Sequence, residues 1–200
     1  MTLTAEPPPV KGGLPRGVIL PDLRPTSETL WHFSEEPGIA RFAPRPAWSN
    51  PDSEPLVWAI DDTHAPLYFF PRECPRIAFW RLPTSTNEDI DRLMGTTAAK
   101  RVIAVESAWL TRIRATVLHA YRLSSDGFVS HEDYGAYVSR RTVVPEAVYP
   151  VGDLLERLGE RDVELRITPS LWPLRRELLK ATLHYSMIRM RNAAPDEEKV

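Results

Sequence analysis

The chain has 200 residues, of which 26% are charged, 42% are hydrophobic and one is a cysteine, and its formal net charge is -2 at pH 7. A chain of this length can bury a core of its own, and its weak negative charge excludes the strongly basic surface typical of bulk nucleic-acid binders. One cysteine allows no intramolecular disulfide, and no apolar run approaches the roughly 20 residues of a membrane span, so we expect a cytoplasmic protein that does not enter a membrane.

Residues 1–27 are predicted to form a disordered, proline-rich arm. Six of the 20 prolines fall within the first 25 residues, where large apolar residues are few. This composition cannot bury enough apolar surface to fold, and it lacks the hydrophobic core of a signal peptide. Residues 193–200 are predicted to be a loose tail, which leaves residues 28–192 as a single domain.

Seven short runs predict β-strands, because β-branched and aromatic residues are frequent in them and proline or glycine borders many of them. They span residues 29–34, 56–61, 76–82, 102–107, 116–123, 137–144 and 163–168. The first and last runs alternate most clearly between two faces.

Helices are predicted to be fewer, over residues 86–95, 151–160 and 173–192, with a short helical turn within 61–72. The third has an apolar stripe at steps of four and three residues and a proline in its first turn. The order of elements predicts an α+β fold with a twisted, mainly antiparallel sheet and peripheral helices.

His32 has two interpretations. It shares a strand face with Leu30 and Ser34. It is either a half-buried histidine that bonds to the backbone, or a polar group at the floor of a cleft, held in place by the packing of Trp31 and Phe33 on the other face.

Other residues whose side chains can bind ligands or metals also have structural interpretations. Arginine forks such as Arg41 and Arg45 bind phosphate or carboxylate, yet most surface arginines only form salt bridges. Asp61, Asp62 and His64 are more typical of a helix cap than of a metal site, and we expect no metal.

Three more groups remain open. Cys74 lacks an adjacent base that would make it a nucleophile. Glu106 ends a predicted strand and is either a cap, a salt-bridge partner or a catalytic carboxylate. The basic residues of the last predicted helix fit a solvated face better than a nucleic-acid site. They are Arg175, Arg176, Lys180, Arg189 and Arg191.

The runs "LWHFSEEPGIARFAPRP", "VWAIDDTHAPLYFFPRECPRIAFW" and "YVSRRTVVPEAVYPV", with the closing "SLWPLRRELLKATLHYSMIRMRNA", resemble an uncharacterised bacterial family. The resemblance covers about residues 30–193. It implies no activity, because the family is a domain of unknown function.

A second, remote resemblance is to the ADP-ribosyltransferase superfamily. An aromatic-His-x-Ser strand is followed by "VWAIDDTHAPLYF", in the order of that superfamily's site. The resemblance implies a split sheet and a cleft that binds NAD. His32 would hold the adenosine ribose, Ser34 would serve the nicotinamide end, and Tyr68 would stack on the nicotinamide.

Chemistry of the ADP-ribosyl type also needs bound phosphates and a carboxylate. Arg41 or Arg45 would bind the diphosphate. The superfamily's acid falls at Ala136 in this chain, so that Glu106, Glu132 and Asp133 are the candidates to replace it, and Tyr134 or Tyr137 would contact the ligand.

Two functions therefore stay open from the sequence. The first is a nucleotide-binding domain, with NAD or ADP-ribose as ligand, which, if catalytic, is a glycosyltransferase that transfers ADP-ribosyl groups. The second is a non-catalytic protein-interaction module on the same fold. The absence of an acid at Ala136 and the aromatic-rich sequence favour the second.

Overall fold

The computed structural model describes residues 29–47, 51–131 and 135–197. The chain divides into two compact units. Unit 1 comprises residues Met1–Phe69 and Val117–Gly152, and unit 2 comprises Phe70–Thr116 and Asp153–Val200. The predicted arm 1–27 lies outside the described residues, and the prediction of a single domain over 28–192 stays a prediction.

Unit 1 contains a six-stranded antiparallel sheet. Its strands are β1 Thr29–Ser34, β2 Val57–Ile60, β5 His119–Ser124, β6 Val129–Ser130, β7 Ala136–Ser139 and β8 Ala147–Pro150. Their order across the sheet is β6-β7-β2-β1-β5-β8. A 3-10 helix, Ala65–Tyr68, follows β2 and confirms the helical turn predicted within 61–72.

One face of this sheet carries a hydrophobic core cluster of unit 1. Its centre consists of buried residues from three neighbouring strands and a later loop: Leu30, Val57, Ala59, Tyr121, Leu123 and Phe42. Successive side chains of a strand point to opposite faces, so Leu30, His32 and Ser34 of β1 face this core. Trp31 and Phe33 point to the other face, as the alternation predicts.

Unit 2 contains a four-stranded mixed sheet. Its strands are β3 Arg76–Trp80, β4 Arg101–Glu106, β9 Val163–Thr168 and β10 His184–Ile188, in the order β10-β3-β4-β9. Only the β4–β9 pair is parallel. Every residue of the two central strands is buried, which explains their nearly continuous apolar sequences.

The helices of unit 2 are short. They are α1 Asn87–Asp89, α2 Leu110–Ala115, α3 Leu154–Gly159 and α4 Trp172–Leu178, with a π-helical turn Ile90–Met94 and 3-10 helices Ser107–Trp109 and Met190–Asn192. The carboxylate of Asp153 caps α3 by accepting the main-chain N–H groups of Leu155 and Glu156. Predicted helices 86–95 and 151–160 thus correspond to helical segments.

The long helix predicted over 173–192 is wrong. α4 ends at Leu178, and residues 184–188 form β10, which pairs along its whole length with β3. Pairing with a buried strand outweighs the helical preference of this segment, because sequence periodicity is only a weak guide once tertiary partners are available. The basic residues that the prediction placed on one helix face are therefore divided between α4, the turn that follows it and the start of the 3-10 helix Met190–Asn192.

The predicted class, α+β with mainly antiparallel sheets and few helices, is confirmed. In the part of the chain that the structure describes, no helix is long and apolar enough to cross a membrane.

Candidate functional site

His32 is half-buried in β1, under the ring of Phe42. The two ring centroids are 4.5 Å apart, and His32 Nδ1 lies 2.9 Å from the main-chain oxygen of Trp58 on the neighbouring strand. This distance fits an N–H on Nδ1 that donates to the carbonyl. The contact is the one expected of a strand histidine that bonds to backbone, and Phe42 covers the position of the predicted cleft floor.

The segment after β1, residues 36–45, folds back over the core face of the sheet; we call it the covering segment. Tyr121 holds its first part, because the Tyr121 hydroxyl donates to the main-chain oxygen of Glu36 and accepts the N–H of Ile39 at 3.1 Å. Burial raises the pKa of this phenol above its usual value. Ile39 and Phe42 of the covering segment then pack on the core.

Ser34 is almost fully buried, and its hydroxyl accepts the N–H of Glu36 at 3.1 Å. This bond turns the chain out of β1 into the covering segment. The described contacts thus give Ser34 a local structural role beside the ligand role that the resemblance implies.

Arg41 and Arg45 lie on the same covering segment, and both are exposed. The main chain beside them is fixed: Phe42 exchanges two hydrogen bonds with Val143, at 2.8 and 2.9 Å, and Arg45 exchanges two with Leu56, at 3.2 and 2.9 Å. Within the described residues, neither guanidinium has a hydrogen-bond or ion-pair partner. The main chain beside both cations is thus fixed, while their guanidiniums bond to nothing in the described part of the chain.

Tyr68 ends the 3-10 helix and is 37% exposed. The next residue, Phe69, packs edge-on against Phe33, with ring centroids 5.3 Å apart. Phe33 points away from the core face, so this helix packs on the face opposite His32. The observed contacts tie His32 to Phe42 and the helix of Tyr68 to Phe33, and they do not place the two predicted residues in one cleft.

Asp61 and His64 form a hydrogen-bonded pair before this helix. Asp61 Oδ1 accepts both the main-chain N–H of His64 and its ring Nδ1, each at 2.8 Å. Gly135 packs against the pair with φ +75°, so that any side chain there would collide with both groups. The pair closes the turn that precedes the helix and does not cap the helix itself. In the described residues no group of three or more His, Cys, Asp or Glu side chains is placed to hold a metal ion.

Tyr137 and Ala136 lie on opposite faces of β7. Tyr137 pairs with Ala59, and it packs against the core on the face of His32. Ala136 pairs with Ile60, which in turn pairs with Trp31 on the other face. A glutamate at Ala136, the position that the resemblance gives to the acid, would point away from His32.

Glu106 belongs to unit 2 and is 2% exposed. Its carboxylate accepts the main-chain N–H of Leu171 at 3.2 Å and that of Ala194 at 3.1 and 2.9 Å. Both oxygens are thus occupied in anchoring two segments of unit 2. The other replacements for the acid, Glu132 and Asp133, lie outside the described residues together with Tyr134.

A family model matches residues 31–193 of the chain: the family of unknown function DUF6886. The chain belongs to this family. This confirms the predicted membership of an uncharacterised family over about residues 30–193. No curated protein and no solved structure matches the chain.

In this DUF6886 chain, Cys74 is fully buried, and burial raises the pKa of its thiol to about 12. A thiol that stays protonated is a poor nucleophile, which agrees with the expectation that Cys74 has no activating base.

Sequence reasoning missed Arg141, a further cation of unit 1. It is exposed, and its guanidinium has no partner among the described residues. Its neighbour Arg140 is instead paired with Glu54, Nη2 to Oε2 at 2.9 Å. The doubled arginine after a strand, "SRRT", was the available signal, but which of the two is paired depends on Glu54, 86 residues away.

Proposed function

We propose that unit 1 binds a phosphate-bearing ligand of the nucleotide class, NAD or ADP-ribose, through Arg41 and Arg45. The observation that carries the proposal is that both guanidiniums are exposed and unpaired among the described residues, while the main chain that bears them is fixed by two backbone bridges. A planar guanidinium binds phosphate oxygens bidentately, and a rigid backbone lowers the entropy cost of doing so.

Prolines stiffen the segment that carries the two arginines. The chain between them is stiffened by Pro44, and Pro46 follows directly. Because proline restricts the backbone of its own and the preceding residue, the side chains leave from a segment with few alternative conformations. The remaining predicted ligand residues of this face are His32 and Tyr137, and both stay predictions.

We propose that unit 1 binds this ligand without catalysing a reaction on it. A reaction at the nicotinamide–ribose bond needs a carboxylate near the developing positive charge. Position 136 is alanine and faces away from His32, and the carboxylate of Glu106 is engaged by main-chain amides. These observations favour a nucleotide sensor or carrier over a transferase.

Titration calorimetry on the full chain tests the proposal, with NAD, ADP-ribose and pyrophosphate as separate ligands. We expect saturable heat with ADP-ribose, and a loss of affinity of about tenfold or more in the double variant Arg41→Ala/Arg45→Ala. The affinity should fall as salt is raised from about 50 to 200 mM, since the contact is between exposed charges.

The matched control is Arg114→Ala, which removes an exposed arginine of α2 that has no partner in the described part of the chain. It should bind like the wild type. Absence of heat with all three ligands, or binding that survives the double variant unchanged, would overturn the proposal. A His32→Ala variant asks separately whether the strand histidine takes part.

A protein-interaction module is the second candidate, and two exposed aromatic side chains favour it. Trp58 is 39% exposed in β2, and Tyr68 is 37% exposed. Tryptophan and tyrosine are enriched among residues that dominate protein interfaces. The test is whether one protein co-purifies with the wild type in fixed stoichiometry. Binding of this partner should be lost in Trp58→Ala/Tyr68→Ala and kept in the control Val117→Ala, which changes another exposed residue. That result would replace the nucleotide proposal with an interaction module.

A further inference from the structure

Strand β9 forms one edge of the sheet of unit 2. It pairs on one side with β4, and no strand of the described residues pairs with its other side. It has six residues and no proline, whereas the other edge strands of the two sheets are shorter: β6 has two residues, β10 has five, and β8 has four and ends in Pro150. A free strand edge is a place where another chain can add a strand.

The main chain of β9 directs alternate residues to this free edge. In a parallel pair, one residue in two bonds to the partner strand through both its N–H and its C=O, and the next residue points away. The carbonyl of Asp162 accepts the N–H of Lys100, just before β4, at 3.0 Å. Residues at even steps from Asp162 therefore bond to β4. The N–H and C=O groups of Val163, Leu165 and Ile167 point to the free edge.

The side chains of these three residues lie on one face of the sheet, at its edge. Ile167 is 50% exposed, and Val163 and Leu165 are half-buried. On the opposite face, Arg166 Nε donates to Glu164 Oε1 at 2.6 Å, so the two charges of the strand compensate each other. Natural edge strands are commonly protected by uncompensated charges or by proline, and β9 has neither within its described residues.

The sequence of β9 is self-complementary about Leu165. When two copies pair antiparallel with Leu165 at the centre, Val163 of one lies opposite Ile167 of the other, and Glu164 lies opposite Arg166. β-branched side chains then meet on one face and opposite charges on the other. A centre one residue earlier or later brings Glu164 opposite its own copy, or Arg166 opposite its own copy. Like charges in that position are destabilising.

We propose that unit 2 self-associates through β9, which pairs antiparallel with β9 of a second copy about a two-fold axis at Leu165. The three outward residues of each copy form about six main-chain hydrogen bonds across the axis. Because both copies use the same edge, the pairing closes on itself and produces a dimer rather than a filament. A six-residue strand is small beside the roughly 20–30 residues that each partner gives to a stable interface, so the dimer should dissociate on dilution.

Analytical ultracentrifugation of the full chain, from about 10 μM to about 1 mM, tests the association, and we expect a reversible monomer–dimer equilibrium. Ile167→Lys places a charge among the outward apolar side chains and should raise the dissociation constant at least about tenfold. The matched control is Leu179→Lys, because Leu179 is 49% exposed and lies at the end of α4. It should dimerise like the wild type.

Cysteine cross-linking tests the register. Directly opposite residues of a hydrogen-bonded pair lie about 5.5 Å apart at Cα, within the range of a disulfide. Under mild oxidation, Leu165→Cys should form a disulfide-linked dimer, because this position faces its own copy across the axis. Ile167→Cys, although more exposed, should cross-link at least about tenfold more slowly alone, and rapidly when mixed with Val163→Cys. The native Cys74 is fully buried, so its contribution should be negligible.

A chain that stays monomeric up to about 1 mM would overturn the proposal. So would a dimer that Ile167→Lys leaves unchanged, or cross-linking of Ile167→Cys alone as fast as that of Leu165→Cys. Circular dichroism at low concentration verifies that the variants fold. The double variant Arg41→Ala/Arg45→Ala should dimerise like the wild type, so this proposal and the nucleotide proposal fail independently.

Discussion

Several long charged side chains of unit 2 are tied into the fold, Arg114 being an exception, whereas unit 1 displays several that are not. Arg166 donates to the main-chain oxygens of Leu93 and Met94 and to Glu164, and Arg191 pairs with Glu73 at 2.7 Å. In unit 1 the guanidiniums of Arg41, Arg45 and Arg141 have no such partners among the described residues.

This difference separates stability from recognition. A charged group that is already paired within the fold has few hydrogen-bonding groups available for a ligand. An exposed charge without a partner contributes little to stability. Unit 2 therefore has the character of a scaffold, and the ligand-binding capacity should be sought in unit 1. Four sets of variants test this contrast.

The largest effect is expected at Glu106 in unit 2. Glu106→Ala removes the acceptor of the N–H groups of Leu171 and Ala194, and the buried amides are left without a partner. We expect a loss of about 3 kcal/mol in the free energy of unfolding, measured by urea denaturation. Glu106→Gln keeps one acceptor oxygen and should lose about half as much. If Glu106→Ala were as stable as the wild type, the scaffold role of this carboxylate would be refuted.

In unit 1, the largest stability effect is expected at Gly135. Its φ is +75°, and a Cβ would lie 2.6 Å from Asp61 Cγ and still closer to His64 Nδ1. Gly135→Ala should therefore cost about 2 kcal/mol of unfolding free energy. The control Gly38→Ala meets nothing within 4 Å and should stay within about 0.5 kcal/mol. Equal stabilities of the two variants would show that the Asp61–His64 pair shifts at little cost in free energy.

A smaller effect, confined to acid, is expected at Asp89 in unit 2. The main-chain N–H of Thr182, at 2.8 Å, followed by Arg92, holds the pKa of Asp89 well below its ordinary value of 3.8. A carboxylate with a lowered folded-state pKa contributes stability above pH 3.8, and this contribution is lost as the pH falls below it.

The urea midpoint of the wild type should therefore drop as the pH is lowered from about 4 to about 2, and that of Asp89→Asn should drop less. Asp91→Asn, an exposed carboxylate two residues on, is the matched control and should follow the wild type. If the urea midpoint of Asp89→Asn fell with pH as steeply as that of the wild type, other carboxylates would account for the acid sensitivity.

Local pattern predicted the strands better than it predicted the helices and the site. Strands 29–34 and 163–168 have the predicted bounds, because their alternation is a local property. The sequence of β10 predicts a helix, because the partner that makes it a strand, β3, lies about a hundred residues earlier. β6 and β8 were missed, since they are short and depend on pairing with β7 and β5.

For the candidate site, the sequence identified residue types but not their partners. The cover of His32 by Phe42 depends on Tyr121, which fixes the covering segment from more than 80 residues away. Likewise, only the tertiary structure shows that Glu54 pairs with Arg140 and leaves Arg141 unpaired. Long-range contacts of this kind produce no periodic pattern in the amino-acid sequence.

The smallest effect on stability, and the sharpest test of the contrast, is expected for Arg41 and Arg45. The double variant Arg41→Ala/Arg45→Ala removes two exposed side chains that contact no partner in the described part of the chain, so its unfolding free energy should stay within about 0.5 kcal/mol of the wild type. Arg166→Ala in unit 2 should be clearly less stable, because two main-chain oxygens and Glu164 lose their donor. Urea denaturation of the three proteins side by side decides the matter. A double variant that is destabilised as much as Arg166→Ala would mean that these arginines hold unit 1 together, and a structural role would then explain their presence without a ligand.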